Sequence, residues 1–409
     1  MRGTRSPAST SSSTARSPGH SRRRQLGDNA RVSFWELVFW LCVVLLVYAQ
    51  LGYPLLLAVL ARLRRRGSTA PAPAEPPTVS LIVAAYDEQD VIAAKVANAR
   101  ALEYPPDRVE IVVAADGCTD ATVAEAQRAG ADLVLDLPRG GKIRAQDSAV
   151  AHATGEIVAF SDANAAWEPD ALRRLVAAFA DPDVGYACGQ VRFVSDPGGS
   201  DSNQEGLYWR YEMALRALES RLGSITAGNG AIYATRRECY IEVDPIMGHD
   251  LSFPFNMVKR GWRAVYVPSA RATEKMVPSI EGEFARKRRM MSHTWPIVLR
   301  GGLLSPRGYP PLYALMIASH RVLRYAAPFL HLGAFAASAA LLGESAVYTI
   351  AFALQAAVLG GALLAPRFPL RPLLVARYYV LTTASVAAGL WDWLRHGTSA
   401  GWEPAQGTR

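Results

Sequence analysis

Cysteine is scarce: four residues among 409, at Cys42, Cys118, Cys188 and Cys239, with no CxxC pair and no metal-like spacing. This pattern speaks against a disulfide framework or a zinc site and leaves four reduced packing residues. Large apolar side chains are nearly absent from Met1 to Arg31, which is rich in Ser and Arg. Such a stretch cannot bury enough surface to order itself, so residues 1–33 read as a disordered basic tail. The formal charge of +8 would suit nucleic acid, but the arginines are grouped in the tail and beside apolar segments. That placement fits anionic membrane lipids and points to no nucleic-acid partner.

Apolar residues, by contrast, make up 50% of the chain, and they concentrate near the N-terminus and after Tyr309. This implies a soluble domain held between membrane segments. Phe34–Leu60 is apolar apart from Glu36 and Gln50, long enough to cross a bilayer at about 20 residues per span. It exceeds the apolar core of a signal peptide, and no small-residue cleavage site precedes Arg62. Residues 61–77 form a linker whose Ser68–Pro77 part is rich in Pro and Ala. Arg321 and Arg324 interrupt the next apolar run, giving an interfacial segment over 308–325. Ala326–Leu342, Val347–Leu364 and Leu373–Leu390 are each long enough to span, so three more helices are expected over 326–392, with a tail over 393–409. The loop Gly343–Ser345 carries no basic residue, whereas Arg367 and Arg371 lie in the next one. The excess of Arg places that second loop, and by continuity residues 78–307, in the cytosol of a multi-pass cell-membrane protein.

Between the membrane segments the apolar pattern alternates. VSLIVAAY (Val79–Tyr86) and VEIVVAAD (Val109–Asp116) read as strands, Ala131–Leu135 as a short third, and Ile157–Phe160 as a buried strand ending at Ser161-Asp162-Ala163-Asn164. Helices are expected over Asp90–Leu102, Thr119–Ala129, Asp170–Ala180, Gln204–Leu222 and Glu281–Met291. Gly185–Val194 and Arg263–Glu274 read as later strands, and Gly248-His249-Asp250 opens a helix to Arg260. Such alternation predicts an α/β domain with a mostly parallel sheet and right-handed crossovers. Tyr86-Asp87-Glu88, Asp116 and Asp162 then end parallel strands at the same sheet edge, where open α/β sheets bind ligands. Asp162 with the oxygen-bearing Asn164 suits a divalent cation held against a diphosphate, although Asp and Asn also favour plain turns.

Taken in order, VSLIVAAYDEQ, VAADGCTDAT, GGKIRAQDSAV, GEIVAFSDANA, GHD and RKRRM resemble the family 2 glycosyltransferases with a GT-A fold, and most of all their membrane-bound branch related to polysaccharide synthases. The resemblance covers about Thr78–Trp295. It implies that Ala84, Tyr86, Glu88 and Asp116 hold nucleobase and ribose and that Lys142 of the Gly-Gly-Lys loop approaches the diphosphate. It implies that Asp162 and Asn164 stand at the metal-binding DxD and that Asp250 is the general base. It also puts Arg286 and Arg289 at the last basic motif. Three departures stand out. Asn164 replaces the second Asp, His249 the Glu before the base, and Met290 the Trp of the last motif, which weakens a processive reading.

The expected function is a membrane-anchored, inverting, hexosyltransferase-like enzyme. It would use Mg2+ or Mn2+ and a nucleotide-diphosphate sugar, a UDP-sugar first, to glycosylate a lipid-linked or glycan acceptor at the cytosolic membrane face. The alternative is a non-catalytic scaffold that keeps the fold to bind nucleotide or lipid. For Asp250 the competing role is a helix N-cap. For Arg286 and Arg289, which share a helix face, it is contact with membrane lipids. His249 and Trp295 fit either the acceptor site or packing.

Overall fold

The computed structural model describes residues 18–64, 75–194, 203–275 and 280–401. Residues 1–17, most of the Pro/Ala linker and the polar loop expected over Gly198–Asn203 lie largely or wholly outside them. The first helix, α1 (Pro18–Val47), begins inside the expected tail. After a π-helical turn at Tyr48–Gly52 it continues as α2 (Tyr53–Leu63).

The soluble domain then alternates β1 (Val79–Ala85), α3 (Ile92–Arg100), β2 (Val109–Asp116), α4 (Thr122–Arg128), β3 (Leu133–Leu137), α5 (Lys142–His152) and β4 (Ile157–Asp162). Next come β5 (Ala166–Trp167), α6 (Ala171–Val176), β6 (Val184–Val194), α7 (Asn203–Leu222), β7 (Tyr233–Arg236), α8 (His249–Lys259) and β8 (Arg263–Lys275). All eight strands form one sheet in the order β3-β2-β1-β4-β7-β6-β8-β5. β1 to β4 pair in parallel, as their apolar runs and intervening helices predict. The second half is mixed: β7 lies antiparallel between β4 and β6, β5 antiparallel on β8, and only β6–β8 is parallel there.

Side-chain alternation sorts each strand onto two cores. Leu81, Ile111 and Ala159 pack with Leu172, Leu175 and Phe179 on one face. Ile82, Val112, Val158 and Phe160 pack with Ala145, Ala149, Phe253 and Met257 on the other. This second layer brings α5 and α8 to the same side of the sheet.

The chain closes with α9 (Ile280–Leu299), α10 (Pro311–Met316), a second π-helical turn at Ile317–Val322, α11 (Leu323–Ala340), α12 (Ala346–Leu364) and α13 (Arg371–His396). Val32–Leu63, Ala346–Leu364 and Arg371–His396 are long and apolar enough to cross a membrane. The helix expected over 326–342 exists as α11, but it is not in that set, because Arg324, Pro328 and His331 lower its apolar character. It runs beside the first apolar helix all the same. Phe39 packs on Ala337 and Leu341, and a methyl group added at Gly333 would meet Cys42 Sγ at 2.8 Å. Tyr53 and Leu57 of α2, Leu215 of α7, Phe255 of α8, Trp295 of α9 and Tyr313 of α10 share a further apolar core, which seats the domain on these helices.

Candidate active site

The carboxyl ends of β1, β2 and β4 are in register. Ala84, itself buried, pairs with Ala114 on one side and with Asp162 on the other. Asp116 ends β2 and is buried; its carboxylate accepts the backbone N–H of Gly140 at 2.6 Å and of Gly141 at 3.0 Å and pairs with Arg139 at 2.7 Å. It thereby shapes the loop that leads into α5, a helix the sequence reading did not assign. Gly141 caps that helix with φ of 93°, a left-handed conformation that favours glycine. A side chain there would also collide with the carbonyl of Ala400, so the C-terminal segment lies against this loop.

Lys142 opens α5 and pairs directly with Asp162. Burial works against its ammonium group, but Asp162, Glu274 and Asp250 outweigh it and hold the amine above the usual lysine range. Glu274 at the end of β8 is pushed up to about 7, first by burial and then by the charge of Asp162, against the pull of Lys142, Arg286 and Lys95. Lys95 on α3 is buried, donates to Ala165 O at 2.8 Å, and is pushed down to about 7 by desolvation. The site is therefore a ring of mutually compensating charges around Asp162. Glu274, Lys95 and Arg139 were missed in the sequence. The available signals were Glu274 at a strand's carboxyl end and Arg139 beside the Gly-Gly pair.

Tyr86 lies beneath the Arg139 guanidinium, 3.3 Å from the ring centroid. Glu88 is buried, and its backbone N–H donates to Thr122 Oγ1 at 2.8 Å. Asp87, Cys118 and Asp120 form another group with metal-ligand character. The two carboxylates accept from backbone N–H groups of the facing loop, Thr119 at 2.7 Å and Gln89 at 3.1 Å, and so clasp the ends of β1 and β2 together.

Asp250 is the second residue of α8. The N-cap is Gly248 and no side chain caps the helix, so the competing capping role falls away: Asp250 Oδ1 accepts the neighbouring Leu251 N–H at 3.0 Å. Its carboxylate is left to act on Lys142. His249 is buried against Phe253 with ring centroids 4.0 Å apart, and its Nδ1 meets Tyr233 Oη at 2.8 Å. Burial and Lys142 push its pKa down to about 3, which makes it a neutral packing residue. Trp295 packs on Tyr325 and donates to Val386 O at 2.9 Å.

Arg286 binds Glu283 through two bonds of 2.7 Å and reaches Glu274 electrostatically, which ties α9 to the site. Arg289 acts on His293 one turn further on. The oxygen donors of Asp162 and Asn164 are the hard ligands that Mg2+ and Mn2+ take. Gly230 leaves the space beside them open: its missing methyl would stand 3.5 Å from Lys142 Nζ and 4.0 Å from Asp162 Oδ2. The residues present fit such a cation.

The sequence model described as "Glycosyltransferase like family 2" matches residues 76–292. A beta-monoglucosyldiacylglycerol synthase of Synechocystis is 33% identical over 38% of this chain and 33% of its own length. An N-acetylglucosaminyltransferase of Rhizobium leguminosarum is 26% identical over 52% of this chain and 54% of its own. The chain thus spans between a third and about half of the length of these curated relatives. Among solved structures, the mannosyltransferase PcManGT from Pyrobaculum calidifontis, in complex with GDP-Man and Mn2+, is similar with a TM-score of 0.67 and 26% identity, covering 88% of this chain and 99% of that one.

Proposed function

Given that this chain belongs to glycosyltransferase family 2, we propose that it is a membrane-anchored inverting glycosyltransferase. It transfers a sugar from a nucleotide-diphosphate donor, a UDP-sugar first, to a lipid-linked or polysaccharide acceptor at the cytosolic membrane face. The observation that carries this reading is the convergence of Asp162, Lys142, Asp250 and Glu274 at one sheet edge of a domain flanked by apolar helices. The solved mannosyltransferase with GDP-Man and Mn2+ supports the donor class and the metal.

In this reading Tyr86, Glu88, Asp116 and the backbone at Ala84 receive nucleobase and ribose. The amino-terminal turn of α5 and Lys142 face the diphosphate, with Arg286 and Arg289 on its far side. Asp162 and Asn164 hold Mg2+ or Mn2+, which when bound offsets charge on the leaving diphosphate. Asp250 takes the proton from the acceptor hydroxyl, whose oxygen bonds to the anomeric carbon as the bond to the diphosphate breaks on the opposite face. One displacement inverts that carbon. α11 lies beside the first apolar helix, and its polar residues have protein partners: Arg324 meets Glu212 at 2.6 Å and His331 meets Tyr379 Oη at 2.6 Å.

The test is thermal stabilisation of the purified full chain in detergent by UDP, GDP and dTDP, with and without Mn2+. A metal-dependent shift with one diphosphate is the expected result, and it names the donor class. No shift with any of them sinks the reading, and a shift without turnover of any sugar donor favours a scaffold.

A further inference from the structure

The segment 224–230 passes the site at Gly230. Within the domain Ile225 N donates to Ala264 O at 2.8 Å and Asn229 Nδ2 to Gly189 O at 2.6 Å, and a second set of fastenings comes from the membrane side. Tyr313 Oη of α10 donates to Ile225 O at 3.0 Å. The Glu219 carboxylate of α7 accepts from Thr226 N at 3.0 Å and Thr226 Oγ1 at 3.0 Å, from Tyr53 Oη of α2 at 2.7 Å, and from His320 Nδ1 at 2.7 Å. The other ring nitrogen of His320 faces Glu212 at 3.3 Å, and Arg321 Nε donates to Thr226 Oγ1 at 2.8 Å. Two residues beyond Thr226, the Gly228 N–H donates to the carbonyl of Asp250 at 2.7 Å.

Glu219 and Thr226 are both fully buried. A buried carboxylate costs several kcal/mol unless its lone pairs are all used, and an apolar side chain would pack α2 on α7 without that cost. Here four donors converge on two oxygens, which only an acceptor-only group satisfies. Two of those donors belong to the segment beside the site and two to the membrane-side helices.

We propose that Glu219 is a positioning residue through which α2 and the π-helical turn at Ile317–Val322 set the segment 224–230 and, by way of Gly228, the first turn of α8 with Asp250. The inference rests on the assignment of Asp250 as the base. The donor-side loop between β3 and α5 is fastened separately, through Asp116. The network therefore acts chiefly on the chemical step and meets the donor side only at Gly230.

Glu219→Gln in the full chain in detergent tests this, because its amide nitrogen turns a donor towards donors. Hydrogen exchange at the Thr226 and Gly228 amides should rise about tenfold. Release of nucleoside diphosphate should slow by about 10- to 100-fold in kcat through misplacement of the base. The donor KM and the Mn2+-dependent stabilisation by nucleotide should change far less than kcat. Tyr53→Phe, which removes one donor and strands none, should give the same split at smaller size and serves if Glu219→Gln does not fold. Unchanged exchange at both amides overturns the proposal, as does normal kcat beside faster exchange or an equal loss of kcat and nucleotide binding. A wild-type chain that binds no nucleotide with metal instead defeats the glycosyltransferase reading, while the exchange data still decide whether Glu219 holds the segment.

Discussion

The guanidinium of Arg139 lies 3.3 Å from the centroid of the Tyr86 ring while it pairs with Asp116 at 2.7 Å. One side chain thus covers two of the four residues assigned to nucleobase and ribose, Tyr86 and Asp116, and competes there with a donor. Asp116 keeps the Gly140 and Gly141 N–H groups in any case, so the loop survives without Arg139. A cation–π contact and a part-exposed ion pair are each worth up to about 1 kcal/mol. Arg139→Ala should therefore bind nucleoside diphosphate about tenfold tighter by calorimetry. Weaker binding would mean that Arg139 contacts the nucleotide.

Asp162→Ala should abolish the metal dependence of nucleotide binding and leave the domain folded. Its carboxylate is at a strand end, with side-chain exposure of 21%, and not in the core. Calorimetry with and without EDTA reads this directly. Metal-dependent affinity that persists in the variant removes Asp162 from the site.

Asp250→Asn keeps the size of the side chain, and Gly248 remains the helix cap. Folding and donor binding should be intact, while transfer falls by about 100- to 10,000-fold, the range for loss of a positioned base. Near wild-type transfer would exclude Asp250 as the base. His249 offers no substitute, since its ring is buried and a pKa pushed down to about 3 makes it too weak a base.

Asp147 on α5 accepts Tyr240 Oη at 2.6 Å, yet burial pushes its carboxyl up to about 6. An acid whose folded pKa lies above its unfolded value near 4 binds its proton more tightly when folded. Its contribution is favourable at low pH and is lost as the pH rises through about 6. Asp147→Asn should raise the thermal midpoint at pH 8 by more than at pH 5. An equal gain at both would refute this linkage.

The proposed topology places Pro369 on the cytosolic side and Ser345 outside. Single cysteines at the two positions, labelled with an impermeant maleimide on intact cells, should react at 345 only. Reaction at 369 alone inverts the topology and with it the access of the domain to nucleotide sugars.

Strands β1, β2 and β4 were legible because each is a short apolar run whose pattern is local, and their polar ends follow once the strands run parallel. The ordered motifs that carry Asp116, Lys142, Asp162 and Asp250 were legible for the same reason. The helix that starts at Lys142 was missed, since Gly140-Gly141 reads as loop until Asp116 is known to bind both N–H groups. The mixed half of the sheet depends on β7, a strand of four residues inserted antiparallel between β4 and β6. Nothing in Tyr233–Arg236 by itself specifies those neighbours. The competing reading of Asp250 as a helix cap was open until the backbone put Gly248 there. Lys95, Glu274 and Asp162 are far apart in sequence and come together only when α3, β8 and β4 are stacked; Tyr53, Glu219 and His320 meet only when membrane helices close on α7. Local periodicity determines which residues line a strand or a helix. Which charges share a buried space is decided by long-range packing, where the cost of an unpaired group selects its partners.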